Sequence, residues 1–133
     1  MAEHRWLNDE YAKIGQRLID SDEYLTSVKN SSATIVYLSS DYAKKSHGKP
    51  MHGECEKVAD KWKWSVPADF AITVYEPNVT HMERGQIEAL IFHELLHVGI
   101  SYNKDGEEIH SIVPHDIQDF SAVLERHGVG WAE

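Results

Sequence analysis

One stretch decides the fold: residues 87–99, which read Ile-Glu-Ala-Leu-Ile-Phe-His-Glu-Leu-Leu-His-Val-Gly. Its apolar side chains recur every three or four residues, the spacing of an α-helix that packs one face against a core. These residues are Ile87, Ile91, Leu95 and Val98. Upstream, Thr80 and Glu83 have the spacing of a capping box, and Gly99 stands where a left-handed residue would end the helix. We therefore expect a helix that starts near Thr80 and ends before Gly99.

The N-terminal half of the chain predicts one helix followed by strands. Apolar residues recur at helical spacing over residues 8–28, which predicts an amphipathic helix. Residues 33–38 and Phe70–Tyr75 are rich in the β-branched and aromatic residues that favour strands. Residues 39–50 resemble a loop, and residues 52–64 are ambiguous but favour a strand.

The C-terminal part of the chain predicts a loop and a last helix. Residues 101–114 are mostly polar and include a turn signal at Lys104-Asp105-Gly106, so we expect a loop. A final helix is expected over about residues 115–127, after Pro114 and before Gly128. The predicted fold is a small α+β domain with an N-terminal helix, a short and mostly antiparallel sheet, and two further helices. We expect residues 1–133 to form one domain.

Composition and charge narrow the functional classes. The chain has 22 acidic and 13 basic residues and a formal net charge of −9, which argues against a nucleic-acid partner. Its single cysteine, Cys55, excludes an internal disulfide and fits a reducing compartment. The first residues lack the basic and apolar regions of a signal peptide, and no segment has the length of a membrane span. We expect a cytoplasmic protein of the producing or host cell, with no membrane partner.

The polar residues of the decisive helix have the spacing of a zinc site. Residues four apart on a helix lie one turn above each other, so His93 and His97 can offer two imidazole nitrogens to one Zn²⁺ ion. Glu94 is rotated by about a hundred degrees from His93 and can instead act as general base on a zinc-bound water. The sequence therefore predicts His93 and His97 as metal ligands and Glu94 as the catalytic residue.

A catalytic zinc ion needs a third protein ligand. His115 is the first choice, because it follows His97 by eighteen residues and opens the last predicted helix. Asp119 and His110 are the alternatives, in that order. Asp116 and Asp119 are also candidate acceptors for the far ring nitrogen of His115. Capping of the helix N-terminus is an equally good explanation for both, because Asp commonly has that role. Tyr102 or His110 is a candidate to polarise a substrate carbonyl.

Two segments together resemble a known family. Residues 91–99, and the later His115-Asp116-Ile117-Gln118-Asp119-Phe120, resemble the metallopeptidases encoded by phages and prophages. Residues 69–74 and His127-Gly128 before Trp131 also fit that pattern. The resemblance implies zinc held by His93, His97 and His115, with Glu94 catalytic. More distantly, the arrangement is similar to SprT-like zincins.

The expected function is zinc-dependent hydrolysis of peptide bonds in a protein or peptide substrate. Three alternatives remain open on the sequence alone. The first is a zinc hydrolase of cell-wall peptide or amide bonds, the second is a zinc module that is structural and not catalytic, and the third is a metal-free acidic binding protein. We also considered Phe70–Tyr75 as an exposed strand that aligns an extended substrate by strand addition. The sequence does not indicate an oligomeric state.

Overall fold

The computed structural model describes residues 3–65, 67–115 and 127. Three α-helices and eight strands are assigned within these residues. The helices are α1 Asp9–Ser21, α2 Thr26–Lys29 and α3 Arg84–Leu95. The strands are β1 Arg5–Leu7, β2 Ile35–Ser40, β3 Lys45–Ser46, β4 Lys49–Pro50, β5 Gly53–Lys57, β6 Phe70–Tyr75, β7 Val98–Tyr102 and β8 Glu108–Ile112.

The main sheet has four strands in the order β1-β2-β6-β5. Strands β2 and β6 are parallel, whereas β1 pairs with β2 and β5 pairs with β6 in the antiparallel direction. The other strands form two antiparallel pairs, β3-β4 and β7-β8. The expected α+β class with a mostly antiparallel sheet is confirmed. The idea that β6 aligns a substrate is wrong, because both of its edges already pair with neighbouring strands.

The core lies between the sheet and helices α1, α2 and α3. Residues 89–92 of α3 are all buried, so this helix is covered on more than the single face that the sequence predicted. Gly15 of α1 allows close packing on β2, because a Cβ there would lie 2.2 Å from the Tyr37 hydroxyl oxygen. The buried cluster comprises Ile14, Ile19, Leu25, Val28, Tyr37, Phe70, Ile72, Ile91, Phe92, Leu95 and Val98.

The N-terminal helix is shorter than predicted. It ends at Ser21, and Asp22 adopts an extended conformation in which its side chain accepts a hydrogen bond from Tyr24 N–H at 2.9 Å. Asp favours such local bonds to the backbone, which compete with helix continuation. A 3₁₀ turn at Glu23–Leu25 and helix α2 follow, so residues 8–28 form two helices and not one.

Helix α3 starts and stops at different residues from those predicted. Its N-cap is Glu83, and Glu83 N–H donates to Gln86 Oε1 at 2.9 Å in a capping box one turn later than the proposed pair of Thr80 and Glu83. Its C-terminus is not closed by Gly99, which lies in β7. Gly99 is instead needed for close strand packing, because a Cβ there would lie 2.9 Å from the Ser111 carbonyl oxygen.

The predicted polar loop at residues 101–114 is wrong for half of its length, residues 101–102 and 108–112, which are strand. Strands β7 and β8 form a hairpin with a regular register from Val98 opposite Ile112 to Tyr102 opposite Glu108. Its turn is held by Asn103, whose side-chain oxygen accepts the backbone N–H groups of Asp105 and Glu107 at 2.9 and 3.0 Å. Gly106 supplies a positive φ of 79° there, as glycine readily does.

Residues 39–50 also contain more structure than predicted. Strand β2 continues to Ser40, and β3 and β4 form a short hairpin whose turn contains His47 at φ 53° and Gly48 at φ 78°. The strand preference at residues 52–64 is confirmed for Gly53–Lys57, and a 3₁₀ turn follows at Asp60–Trp62.

The last predicted helix lies almost wholly outside the described residues. Of the helices that are described, none combines the length and the apolar composition that a membrane crossing requires.

Candidate metal centre

Helix α3 places His93, and the turn that follows the end of the helix at Leu95 places His97. His93 and His97 lie one turn apart, with ring centroids separated by 5.3 Å and ring planes inclined at 71°. Both side chains are half-buried. Phe92, directly before His93, and Leu95, between the two histidines, are fully buried in the core. The apolar residues thus fix the rotation of the helix, and this rotation keeps both imidazoles at the surface of the core.

The β7-β8 hairpin returns the chain to His97. Val113 N–H donates to the His97 carbonyl oxygen at 2.7 Å, and His97 Nδ1 lies 2.6 Å from the Val113 carbonyl oxygen. Since a carbonyl only accepts, Nδ1 carries the proton and Nε2 carries the lone pair of the neutral ring. This is the arrangement that orients a metal-ligating imidazole, with its far nitrogen donating to an acceptor.

His115 follows two residues later and joins the pair. Its Nε2 atom lies 2.9 Å from His93 Nε2, and its ring centroid lies 4.8 Å from that of His93 and 4.6 Å from that of His97. One nitrogen from each of the three rings lies within 4.8 Å of the others. No other group of three His, Cys, Asp or Glu residues in the described part of the chain is arranged to hold an ion.

The donor set suits a zinc ion. Three neutral imidazoles are the protein ligands of several catalytic zinc sites, with the fourth position left to water or substrate. Two nitrogens on a tetrahedral zinc ion lie about 3.3 Å apart, since each is about 2.0–2.1 Å from the metal. The separation of 2.9 Å between the Nε2 atoms of His93 and His115 is close to that value, whereas the limit of 4.8 Å for all three rings is wider, so the rings would draw together around an ion.

Glu94 is buried beneath strand β5. The residue is 4% exposed, and its Oε2 atom would lie 3.4 Å from a Cβ at Gly53. Burial raises the pKa of the Cys55 thiol, and the nearby Glu94 carboxylate raises it further. Cys55 is therefore a protonated, partly buried side chain, and its high pKa argues against a nucleophilic thiolate at neutral pH. A Cβ at position 53 would meet the Glu94 carboxylate at an ordinary contact distance, and its closest neighbour would be the Thr73 carbonyl oxygen at 3.0 Å.

Comparison with known proteins gives the family. The family model described as "Putative phage metallopeptidase" matches residues 4–133, nearly the whole chain. The chain belongs to this phage metallopeptidase family. No curated protein and no solved structure matches it. Membership in a metallopeptidase family implies a metal ion, and the three histidines could hold one.

Several candidate residues of the chain lie elsewhere or fall outside the described residues. His110, an alternative ligand, packs its ring on Phe70 at 5.4 Å, and its Nε2 lies 2.8 Å from Glu108 Oε2, so it is bound to a different cluster. Tyr102 is 58% exposed at the far end of β7. Asp116 and Asp119 lie outside the described residues.

Sequence reasoning missed the residues that place His115 beside His93. Val113 bonds to His97, and Gly99 allows β7 to pack closely on β8. Both contacts belong to the hairpin, most of which the sequence predicted as a loop. A signal was present, because Val98, Ile100 and Tyr102 alternate with small or polar residues as in a half-buried strand.

Proposed function

We propose that the chain is a zinc-dependent peptidase in which His93, His97 and His115 hold the ion and Glu94 is the general base. The observation that supports this most strongly is the convergence of the three imidazoles within 4.8 Å, beside a buried carboxylate on the same helix. His93 and Glu94 in the last turn of α3, and His97 in the turn directly after it, account for the spacing of the motif. We further propose that residues 1–133 act as one zincin-like unit.

The chain's own residues have separate tasks in this proposal. The Val113 carbonyl holds the proton on His97 Nδ1 and so presents Nε2 to the ion. When bound, zinc supplies Lewis acidity that polarises the scissile carbonyl and acidifies water. Glu94 accepts the proton of the attacking water and then delivers it to the leaving amine nitrogen. Its burial beneath β5 limits the movement of its side chain.

The substrate in this proposal is a protein or peptide. Strand β5 forms one end of the sheet order within the described residues, and its first residue, Gly53, lies beside Glu94, since a Cβ there would be 3.4 Å from Oε2. An extended peptide can reach the carboxylate at this end of β5 by backbone pairing. This replaces β6, whose edges are occupied, as the strand that aligns the substrate.

Substitution of Glu94 tests the assignment. Glu94→Gln keeps the size of the side chain and removes its basicity, so we expect kcat/KM for peptide cleavage to fall by about 10²- to 10⁴-fold with zinc content unchanged. Glu88→Gln is the matched control, because Glu88 lies on the same helix and binds Arg17 at 2.6 Å, away from the three histidines. Equal activity of wild type and Glu94→Gln would refute a catalytic role for Glu94.

The same variants separate the other functions. A structural zinc module would bind zinc in wild type and Glu94→Gln alike and cleave nothing. A metal-free binding protein would bind no zinc in elemental analysis, even after incubation with the ion. A cell-wall hydrolase would use the same residues, so a panel that includes peptidoglycan fragments beside casein and short peptides would identify it by substrate preference.

A further inference from the structure

The β3-β4 hairpin is an island of positive charge in an acidic protein. Residues 42–53 contain three lysines, two histidines and no acidic residue, whereas the whole chain has a net charge of −9. We refer to residues 44–50 as the basic hairpin. Lys44 at its base is neutralised, because its Nζ donates to Glu54 Oε1 at 2.7 Å. Lys45 and Lys49 are exposed, and neither forms an ion pair with another described residue.

The basic hairpin is held in place by its own backbone and by Asn78. Asn78 Nδ2 donates to the carbonyl oxygens of Lys44 and Met51 at 2.8 and 2.7 Å, which ties the two ends of the hairpin to the loop before α3. Met51 N–H donates to the Lys44 carbonyl at 3.0 Å. His47 and Gly48 form a tight turn with positive φ at both residues. A hairpin fixed in this way loses little entropy when it binds a partner.

Its position relates the basic hairpin to the metal centre. Strand β4 leads through Met51 and His52 to Gly53, whose Cβ position is 3.4 Å from Glu94 Oε2. Lys49 and Gly53 are four Cα steps apart, so their Cα atoms are separated by at most about 15 Å. An extended peptide rises about 3.4 Å per residue, so about four substrate residues span this distance.

We propose that the basic hairpin selects peptide substrates that carry acidic side chains within about four residues of the scissile bond. This rests on the proposed peptidase function and adds its substrate class. Like charge elsewhere on the protein repels acidic peptides, and the hairpin supplies local attraction on the approach to Glu94. A nucleic acid is the weaker match. Among the described residues only Lys45 and Lys49 of the hairpin are without an ion-pair partner, and phosphate backbones are bound by larger clusters of positive charge.

Direct binding tests the proposal without requiring turnover. The probe is a fluorescein-labelled peptide of alternating Glu and Ala, compared with its Gln-Ala counterpart, and the protein is the full chain with Glu94→Gln. At low ionic strength we expect the Glu peptide to bind about five- to tenfold more tightly than the Gln peptide by fluorescence anisotropy. Added salt should remove this difference, because the charges are exposed.

Charge reversal then locates the effect. Lys45→Glu combined with Lys49→Glu should abolish the preference for the Glu peptide. The matched control, Lys13→Glu with Lys104→Glu, changes the net charge equally at exposed positions on α1 and in the β7-β8 turn and should retain it. The register places Ser46 opposite Lys49 and Pro50 opposite Lys45, so the two lysines lie on opposite faces of the hairpin. The single variants show which face carries the preference, and loss of preference in either one supports the proposal.

Three results would overturn the proposal. The first is equal affinity of the parent protein for the Glu and Gln peptides, and the second is equal loss of preference in the hairpin and control variants. The third is tighter binding of a single-stranded oligonucleotide than of the Glu peptide, lost on hairpin reversal, which would assign the surface to nucleic acid. Failure of the proposed peptidase function is detected separately, as unchanged cleavage in Glu94→Gln.

Discussion

Replacing Gly99 with alanine tests whether the hairpin positions the third histidine. A Cβ at residue 99 would lie 2.4 Å from Ser111 Oγ, 2.9 Å from the Ser111 carbonyl oxygen and 3.0 Å from Val113 Cγ2. The Ser111 hydroxyl can rotate away, but the carbonyl is part of the β8 backbone. Strands β7 and β8 must therefore separate, and overpacking of this kind costs about 1–3 kcal/mol.

This free energy destabilises the β7-β8 pair, which holds Val113 against His97 and places His115 beside His93. If all of it is expressed in metal binding, the zinc Kd rises by about five- to 150-fold. The assay is competition for zinc against a chromophoric chelator, with urea denaturation of the apo protein measured in parallel. Zinc affinity should fall while the far-UV circular dichroism spectrum stays nearly unchanged. The reason is that the backbone hydrogen bonds of α3 and of the four-stranded sheet lie outside this strand pair.

The matched control is Gly85→Ala. A Cβ at Gly85, on the first turn of α3, would meet no described atom within 4 Å, so we expect unchanged zinc affinity and a helix stabilised by about 0.4–1 kcal/mol. If Gly99→Ala binds zinc as tightly as Gly85→Ala and is equally stable, close packing of β7 on β8 at Gly99 is not what places His115 beside His93.

Three further predictions concern single side chains. Hydrogen bonds from Ser32, with a further one from His110, lower the pKa of Glu108 from 4.5 to about 2. The folded state should therefore lose stability as the pH falls from about 4.5 towards 2, and Glu108→Gln should flatten this decline in urea titrations. Cys55 should resist a thiol reagent at neutral pH until the protein is denatured, because burial raises its pKa; labelling at the denatured rate would contradict this. The buried Tyr37 hydroxyl has no hydrogen-bond partner among the described residues, so Tyr37→Phe should stabilise the protein by up to about 1 kcal/mol, and a loss of stability would show that the hydroxyl is satisfied.

The elements that the sequence predicted best are those with strong local patterns. Strand β6 was predicted over Phe70–Tyr75 and occupies those residues. A run of β-branched and aromatic residues strongly favours a buried strand. The i, i+4 spacing of His93 and His97 is likewise a local property of any helix. Neither prediction required knowledge of the rest of the chain.

The errors lie where tertiary packing decides the outcome. Gly99 follows a helix and was read as its stop signal, but packing against Ser111 explains why it is glycine. Thr80 is a more usual N-cap than Glu83, and only the bond from Glu83 N–H to Gln86 shows where the helix starts. The proximity of His115 to His93 depends on the hairpin between them, which no local pattern measures. The roles of the three histidines and Glu94 remain predictions until metal is bound and turnover measured.

The two glycine turns have a consequence for how relatives of this protein can vary. Gly48 and Gly106 sit at hairpin tips where an added Cβ would contact no described atom within 4 Å. Insertions at exposed tips of this kind are commonly tolerated, because the flanking strand pairs absorb the change. We expect lengthened or grafted tips at residues 47–48 and 104–106 to leave α3 and the three clustered histidines undisturbed. Such tips offer two sites at which recognition can be redesigned separately from the histidine cluster.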